Sequence, residues 1–246
     1  MKIVHGAVVV SLVAGCASGG AAPPSGPGPA QGAHEGHGHG HGPGHGHGHH
    51  GQGMQHRFDG AEGWAKVFDA EDRDAWQKPD EVLSAMGLDK GGKGTELVAD
   101  VGAGTGYFSV KIAKRVPSGK VFAVDVEGDM VRYLKERATR EGLTNLVAVQ
   151  STADDPKIPE PVDVVLVVDT LHHIGAREAY FKKLRASLRP GGRVVIVDFH
   201  AEATMGPPKE HRLSVDDVVA EAKASGLVKR SESRLPQQYV LVLTAQ

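Results

Sequence analysis

From about His56 onward the sequence predicts an α/β domain of the doubly wound type, and three observations carry that prediction. Segments of strand character alternate with segments of helical periodicity from Leu97 to the end of the chain. The run Val162–Val168 is apolar at every position but Asp163, which suits a strand of a parallel sheet covered on both faces. A glycine-rich turn, Gly102-Ala103-Gly104-Thr105-Gly106, separates a strand from a helix, at the end of the sheet where such folds bind ligands.

The elements follow in order. Residues 61–70 and 79–86 read as short helices, and Trp64, Phe68 and Trp76 are the bulky apolar members of this region. Leu97–Val101 is an apolar strand closed by Gly102, and 106–116 is helical. Residues 121–126 form the next strand, and 129–141 a helix with Met130, Leu134 and Ala138 at helical spacing. Leu146–Gln150, 162–169 and 193–199 are further strands. A helix over 177–188 is ended by Pro190-Gly191-Gly192. The last helix covers 215–224. Strands 228–234 and 238–244 are joined through Leu235-Pro236 with no helix between them, which predicts an antiparallel hairpin at one sheet edge.

Composition narrows the function. The 246 residues hold 28 Lys and Arg against 30 Asp and Glu, a net charge of −2, so there is no basic excess to draw nucleic acid. Cys16 is the single cysteine, which excludes a disulfide framework and a cysteine-based zinc site.

The first 53 residues have a different character. The apolar run 3–14 is too short to span a bilayer, which takes about 20 residues, but has the length of a signal-peptide core. It ends in Val13-Ala14-Gly15-Cys16, which resembles the lipobox of bacterial lipoproteins. That resemblance implies a signal peptide over 1–16 and a lipidated Cys16 as membrane anchor, with the protein in the outer membrane or periplasm. A start at Met54 would instead leave it cytoplasmic. Residues 17–53 are rich in Gly, Pro and His with almost nothing apolar to bury, and read as a disordered tether ahead of a domain over 54–246. The tether carries His34, His37, His39, His41, His45, His47, His49 and His50. Imidazoles on glycine spacers can converge on Zn, Ni, Cu or Co without a preformed geometry.

The chemistry of the folded part begins at Asp100-Val101-Gly102-Ala103-Gly104-Thr105-Gly106. A dinucleotide fingerprint needs a small residue at its sixth position, which here is Tyr107, and no Lys-Ser/Thr pair follows as a phosphate-cradling loop would require. Asp125 ends the next strand, where a carboxylate can accept from both hydroxyls of a ribose. The third strand leads to Asp154 and Asp155, and the fourth to Asp169.

Together DVGAGTG, FAVDVEGDM, VDVVLVVDTLHHI and LRPGGRVVIVDF, spread from about Glu96 to Gly192, resemble the class I S-adenosylmethionine-dependent methyltransferases. The resemblance implies a Rossmann-like seven-stranded sheet of order 3-2-1-4-5-7-6 with strand 7 antiparallel, and S-adenosylmethionine as cofactor. By position it implies Gly102, Gly104 and Gly106 under the methionine and ribose, Asp100 toward the amino group, and Asp125 on the ribose. Val126 and Met130 would lie against the adenine, Asp154 or Asp155 would accept from its amine, and Asp169 would lie near the methionine end. RFDGAEGWAKVFD, DAWQKP and LPQQY are similar to segments of bacterial methyltransferase-domain proteins, several of which look like lipoproteins with His-rich tethers.

Methyl transfer from a sulfonium can run largely on positioning, so a catalytic residue is not required. His172 and His173 after the fourth strand are the candidate bases, with His200 after the fifth. Their bland reading is packing of the following helix. Asp198, His200, His211 and His173 are a weaker candidate metal set. Phe58, Trp64, Phe68, Trp76 and Tyr107 would roof an acceptor pocket or belong to ordinary core. A small-molecule acceptor is expected. The second reading is a non-catalytic membrane-tethered lipoprotein that binds metal through its His tract and a nucleoside-like ligand in the crevice. It is kept open because S-adenosylmethionine is made in the cytosol while a lipobox directs export.

Overall fold

The computed structural model describes residues 60–246. Cys16, the eight tether histidines and Phe58 therefore lie outside the described residues. Three short helices come first: α1 (Ala61–Phe68), α2 (Arg73–Gln77) and α3 (Pro79–Ala85). Strands and helices then alternate as β1 (Leu97–Val101), α4 (Tyr107–Arg115), β2 (Lys120–Asp125), α5 (Gly128–Arg140), β3 (Leu146–Gln150) and β4 (Val162–Val168). The remainder is α6 (Arg177–Ala186), β5 (Leu188–Phe199), α7 (Val215–Lys223), β6 (Leu227–Arg234) and β7 (Gln238–Ala245).

Among the described residues seven strands form one sheet of order β3-β2-β1-β4-β5-β7-β6. β7 runs antiparallel to both β5 and β6, so the edge hairpin expected from Leu235-Pro236 is present. The fold is the Rossmann-like class I methyltransferase fold, as the sequence predicts.

Strand alternation explains the apolar runs. Val164, Leu166 and Val168 of β4 pack with Val82 and Leu83 of α3 and with Phe108 and Ile112 of α4 on one face. Val165 and Val167 pack with Tyr180, Phe181 and Leu184 of α6 and with Val218 of α7 on the other. With both faces covered, period-two alternation has nothing polar to show. Each such side chain contributes about 1.5–3 kcal/mol on burial. Asp163, the polar exception, accepts the backbone N–H of Leu97 at 2.8 Å and so satisfies the start of β1.

Two boundaries differ from expectation. β5 begins at Leu188, which pairs with Val162 across an irregularity in the β4–β5 ladder, so α6 stops at Ala186 and Pro190-Gly191-Gly192 lies within the strand. α2 was not anticipated: Trp76 is its only bulky apolar residue, so no periodicity marks it. Tertiary hydrogen bonds hold it instead. The direction of winding reverses between β1 and β4, which places a ligand crevice outside their carboxyl ends.

Candidate active site

The glycine loop leaves β1 and is pinned to its neighbour: the N–H groups of Gly102 and Ala103 both donate to the carbonyl of Val124, at 2.8 and 3.0 Å. Gly102 has φ +74°, and a Cβ there would lie 2.0 Å from Thr170 Oγ1. The missing side chain is thus required by Thr170, a residue of this chain just past β4. Gly104, at φ +56°, is different: the ring of Phe68 lies 3.4 Å from where its Cβ would be. Phe68 therefore packs against the loop.

Asp125 ends β2 with its carboxylate buried. Oδ2 accepts Gly104 N–H at 2.8 Å and Oδ1 accepts Glu127 N–H at 2.9 Å. Burial raises its pKa above the ordinary carboxylate range, and the two amides oppose that shift. Asp100 accepts Ser109 Oγ at 2.6 Å, and burial pushes its pKa up to about 6.

Asp169 is the strained member. Its φ of +50° is unusual for a residue with a side chain and costs about 1–3 kcal/mol. Its side chain is 23% exposed, Oδ1 accepts from Gln238 Nε2, and Oδ2 lies 4.0 Å from Arg73 Nη2. Burial, then the charge of Asp198, raises its pKa to about 7.

His172 lies in a 3-10 turn, Leu171–His173, and is buried. Its Nδ1 is 2.9 Å from Oδ1 of the fully buried Asp198. With the Nδ1 proton donated to that carboxylate, Nε2 is left to accept another. Burial lowers the imidazole pKa, but the bond and charge of Asp198, with Asp169 behind it, outweigh burial and raise it. The His173 ring lies beside that of His172, with centroids 4.3 Å apart and the planes tilted by 42°. His200 turns to the β7 side, where its Nε2 is 3.3 Å from the carbonyl of Pro236, and His211 is exposed. Among the described residues no group of three His, Cys, Asp or Glu is arranged to hold a metal ion.

The residues expected at the adenine divide. Val126 is 49% exposed beside Asp125, whereas Met130 is 1% exposed and packed into the domain. Asp154 has an 81% exposed side chain and Asp155 a 42% exposed one, and both lie within 3.6 Å of Lys183 Nζ. All three acids, Asp155, Asp125 and Asp154, still act on the buried Tyr180 of α6, whose phenol pKa is raised first by burial and then by their charges.

Sequence reasoning missed the polar contacts made by α2 and by Asp69 just before it. Asp69 receives Arg137 Nη1 at 2.9 Å and Thr105 Oγ1 at 3.0 Å, which ties the segment to the glycine loop. Asp74 accepts from the Tyr107 hydroxyl and from Lys111 Nζ at 3.0 Å. Gln77 donates to Gln238 at 2.5 Å, and Gln238 in turn donates to Asp169. The charge density of DAEDRDAWQKP and the paired amides of LPQQY were the available signals. Trp76 stacks on Phe199, at 6.2 Å between ring centroids.

Residues 98–192 match the sequence family described as "Methyltransferase domain". A ubiquinone/menaquinone biosynthesis C-methyltransferase UbiE from Cupriavidus taiwanensis is 32% identical over 106 residues, 42% of each chain. That from Pseudomonas fluorescens is 32% identical over 107 residues, 42% of this chain and 41% of its own. The chain thus spans about two fifths of the length of the curated relatives it matches. Among solved structures, a SAM-dependent methyltransferase from Aquifex aeolicus is 26% identical with a TM-score of 0.67, covering 76% of this chain and 98% of that one. Residues 98–192 thus match a methyltransferase domain, and the described residues share the fold of a SAM-dependent methyltransferase.

Proposed function

We propose that the protein transfers the methyl group of S-adenosylmethionine to a small-molecule acceptor, mainly by positioning the two reactants. The observation that carries this reading is the state of Asp125. Each carboxylate oxygen accepts one backbone N–H, which fixes the group, yet a carboxylate offers about four acceptor sites. Capacity remains for two vicinal hydroxyls, so the residues present fit a ribose.

Bound cofactor supplies a methyl carbon made electrophilic by a positively charged sulfur. Asp100 and Asp169 bring negative charge to the methionine end, with Asp100 directed at the amino group. The loop from Gly102 to Gly106 supports the methionine and ribose. Val126, with Met130 beneath, faces the adenine, and Asp154 or Asp155 receives its amine. Phe68 and α2 exclude water. His172 Nε2 takes the proton of a hydroxyl or amine acceptor, while Asp198 holds the ring and stabilises its charged form. The tilted His173 ring lies beside it. Family and fold relatives favour this enzyme over a non-catalytic nucleoside-binding lipoprotein.

Calorimetric titration of the full chain with S-adenosylmethionine, beside NADH and an Asp125→Ala variant, tests the reading. Affinity on the order of micromolar for the first, absent for NADH and lost in the variant, is expected. A folded chain that takes up no S-adenosylmethionine refutes it. We further propose that Cys16 is lipidated and that the tether histidines capture divalent Zn, Ni, Cu or Co ions outside the cytosol. Metabolic labelling with palmitate should mark the chain and leave Cys16→Ala unlabelled; an unlabelled wild type ends that part of the proposal.

A further inference from the structure

Gln77 at the end of α2 and Gln238 at the start of β7 are both fully buried, and their side chains meet. A buried amide carries donors and an acceptor that need partners. Here the partners set a direction. Arg73 has donors alone, and its Nε donates to Gln77 Oε1 at 3.1 Å. Gln77 must therefore present its amino group to Gln238, whose Oε1 accepts from Nε2 at 2.5 Å. Gln238 is left with its own amino group, which donates to Asp169 Oδ1. The chain Arg73–Gln77–Gln238–Asp169 thus runs one way, from a cation to a carboxylate. Its polarity suits an ionised Asp169, which can only accept.

Asp169 is poised between two states. Burial, then the charge of Asp198 on β5, pushes its pKa up to about 7. Arg73 on α2, His172 in the 3-10 turn and the Gln238 donor on β7 oppose that push. The buried Tyr239 phenol of β7 also feels both carboxylates. Arg73 Nη2 lies 4.0 Å from Asp169 Oδ2, an attraction without a hydrogen bond. The charge of Asp169 matters to the base. Burial lowers the pKa of His172, and Asp198 followed by Asp169 outweighs it, with the His173 ring alongside.

We propose that Gln77 and Gln238 are positioning residues for the acceptor base: their one-way chain holds Asp169 as an anion whose field reaches His172. The base then depends on α2 being seated, since α2 supplies both the cation and the first amide. The inference rests on the methyltransferase reading above, with His172 as its base.

The test is an NMR titration of the His172 ring and of the two side-chain amides in the full chain. In wild type the Gln238 amide resonances should move as Asp169 titrates, and those of Gln77 should follow. Amides that stay still across that range overturn the proposal without any variant. Gln77→Glu reverses the chain. Beside the guanidinium the new carboxylate stays ionised and can only accept. The Gln238 amide must then turn to it and present its oxygen to Asp169, which keeps a proton. The His172 titration should shift to lower pH. Direct attraction from the added carboxylate acts the other way, so a shift to higher pH, or none, overturns the proposal. Gln238→Leu removes the donor, adds no charge and should shift the ring in the same direction. Lost stability with an unmoved ring in that variant overturns the proposal in favour of a structural role. Calorimetry with S-adenosylmethionine decides the underlying reading separately: a chain that binds none leaves the base no reaction to serve, and the proposal falls with it.

Discussion

Replacing Gly102 by Ala adds one methyl carbon, and the structure fixes where it must go. At φ +74° a Cβ costs about 1–2 kcal/mol from backbone contacts alone. The new carbon also meets Thr170, at 2.0 Å from Oγ1, 2.5 Å from Cγ2 and 2.8 Å from Cβ. Rotation about χ1 moves the first two atoms but not the third, so the chain past β4 has to shift, at about 1–3 kcal/mol for overpacking. The total is about 2–5 kcal/mol. Gly104→Ala carries similar backbone strain at φ +56°, but its nearest neighbour is the Phe68 ring at an ordinary 3.4 Å. Its cost stays near 1–2 kcal/mol. For a domain of this size each kcal/mol moves Tm by about 2–4 °C. Thermal unfolding followed by circular dichroism should therefore show Gly102→Ala melting well below Gly104→Ala. Adding Thr170→Ala should recover part of the Gly102→Ala loss, since Oγ1 and Cγ2 are removed while Cβ stays. Equal melting temperatures for the two glycine variants would refute the claim that Thr170 sets the requirement at Gly102.

Other outcomes follow from the crevice acids and their partners. Asp100 and Asp169 have pKa values raised to about 6 and about 7, so ionisation with rising pH creates the charge a cationic cofactor wants. Affinity for S-adenosylmethionine should tighten between pH 5 and 8, and a profile for Asp169→Asn as steep as wild type would count against it. The same shift acts on stability with the opposite sign. A carboxyl whose folded pKa is raised above its ordinary value contributes stability that is lost as pH rises through about 7. Asp169→Asn should thus gain in Tm relative to wild type across that range. For His172, an NMR titration of the ring should show a pKa above its usual value in wild type. Asp198→Asn should bring it below, because burial is then opposed only by the charge of Asp169; an unchanged value would deny the coupling. Gln238→Leu leaves Gln77 Nε2 and Asp169 Oδ1 without their shared partner, and should cost about 1–3 kcal/mol in chemical denaturation.

Most of the fold was legible because burial on two faces leaves a pattern in the chain itself. Val162–Val168 is apolar because α4 and α6 cover opposite sides of it. The Leu235-Pro236 connection is too short for anything but a hairpin, and β7 is antiparallel. The positions of three acids in the sheet were legible by the same logic, since Asp100 lies near the end of β1, Asp125 ends β2 and Asp169 follows β4. Less was legible where short elements gain order from distant partners. α2 shows no periodicity: hydrogen bonds donated by Arg73 and Gln77 and one accepted by Asp74 hold it, rather than an apolar stripe.

The sequence alone determined the strands, the edge hairpin and the glycine-rich turn, because local periodicity and turn chemistry act within a few residues; the strand order came from the resemblance that its motifs carry. Tertiary structure alone decided which partner each charged group meets. His172 lies 26 positions from Asp198, and Gln77 lies 161 from Gln238. No spacing rule links residues that far apart; the fold brings them together, and burial then makes the contact strong.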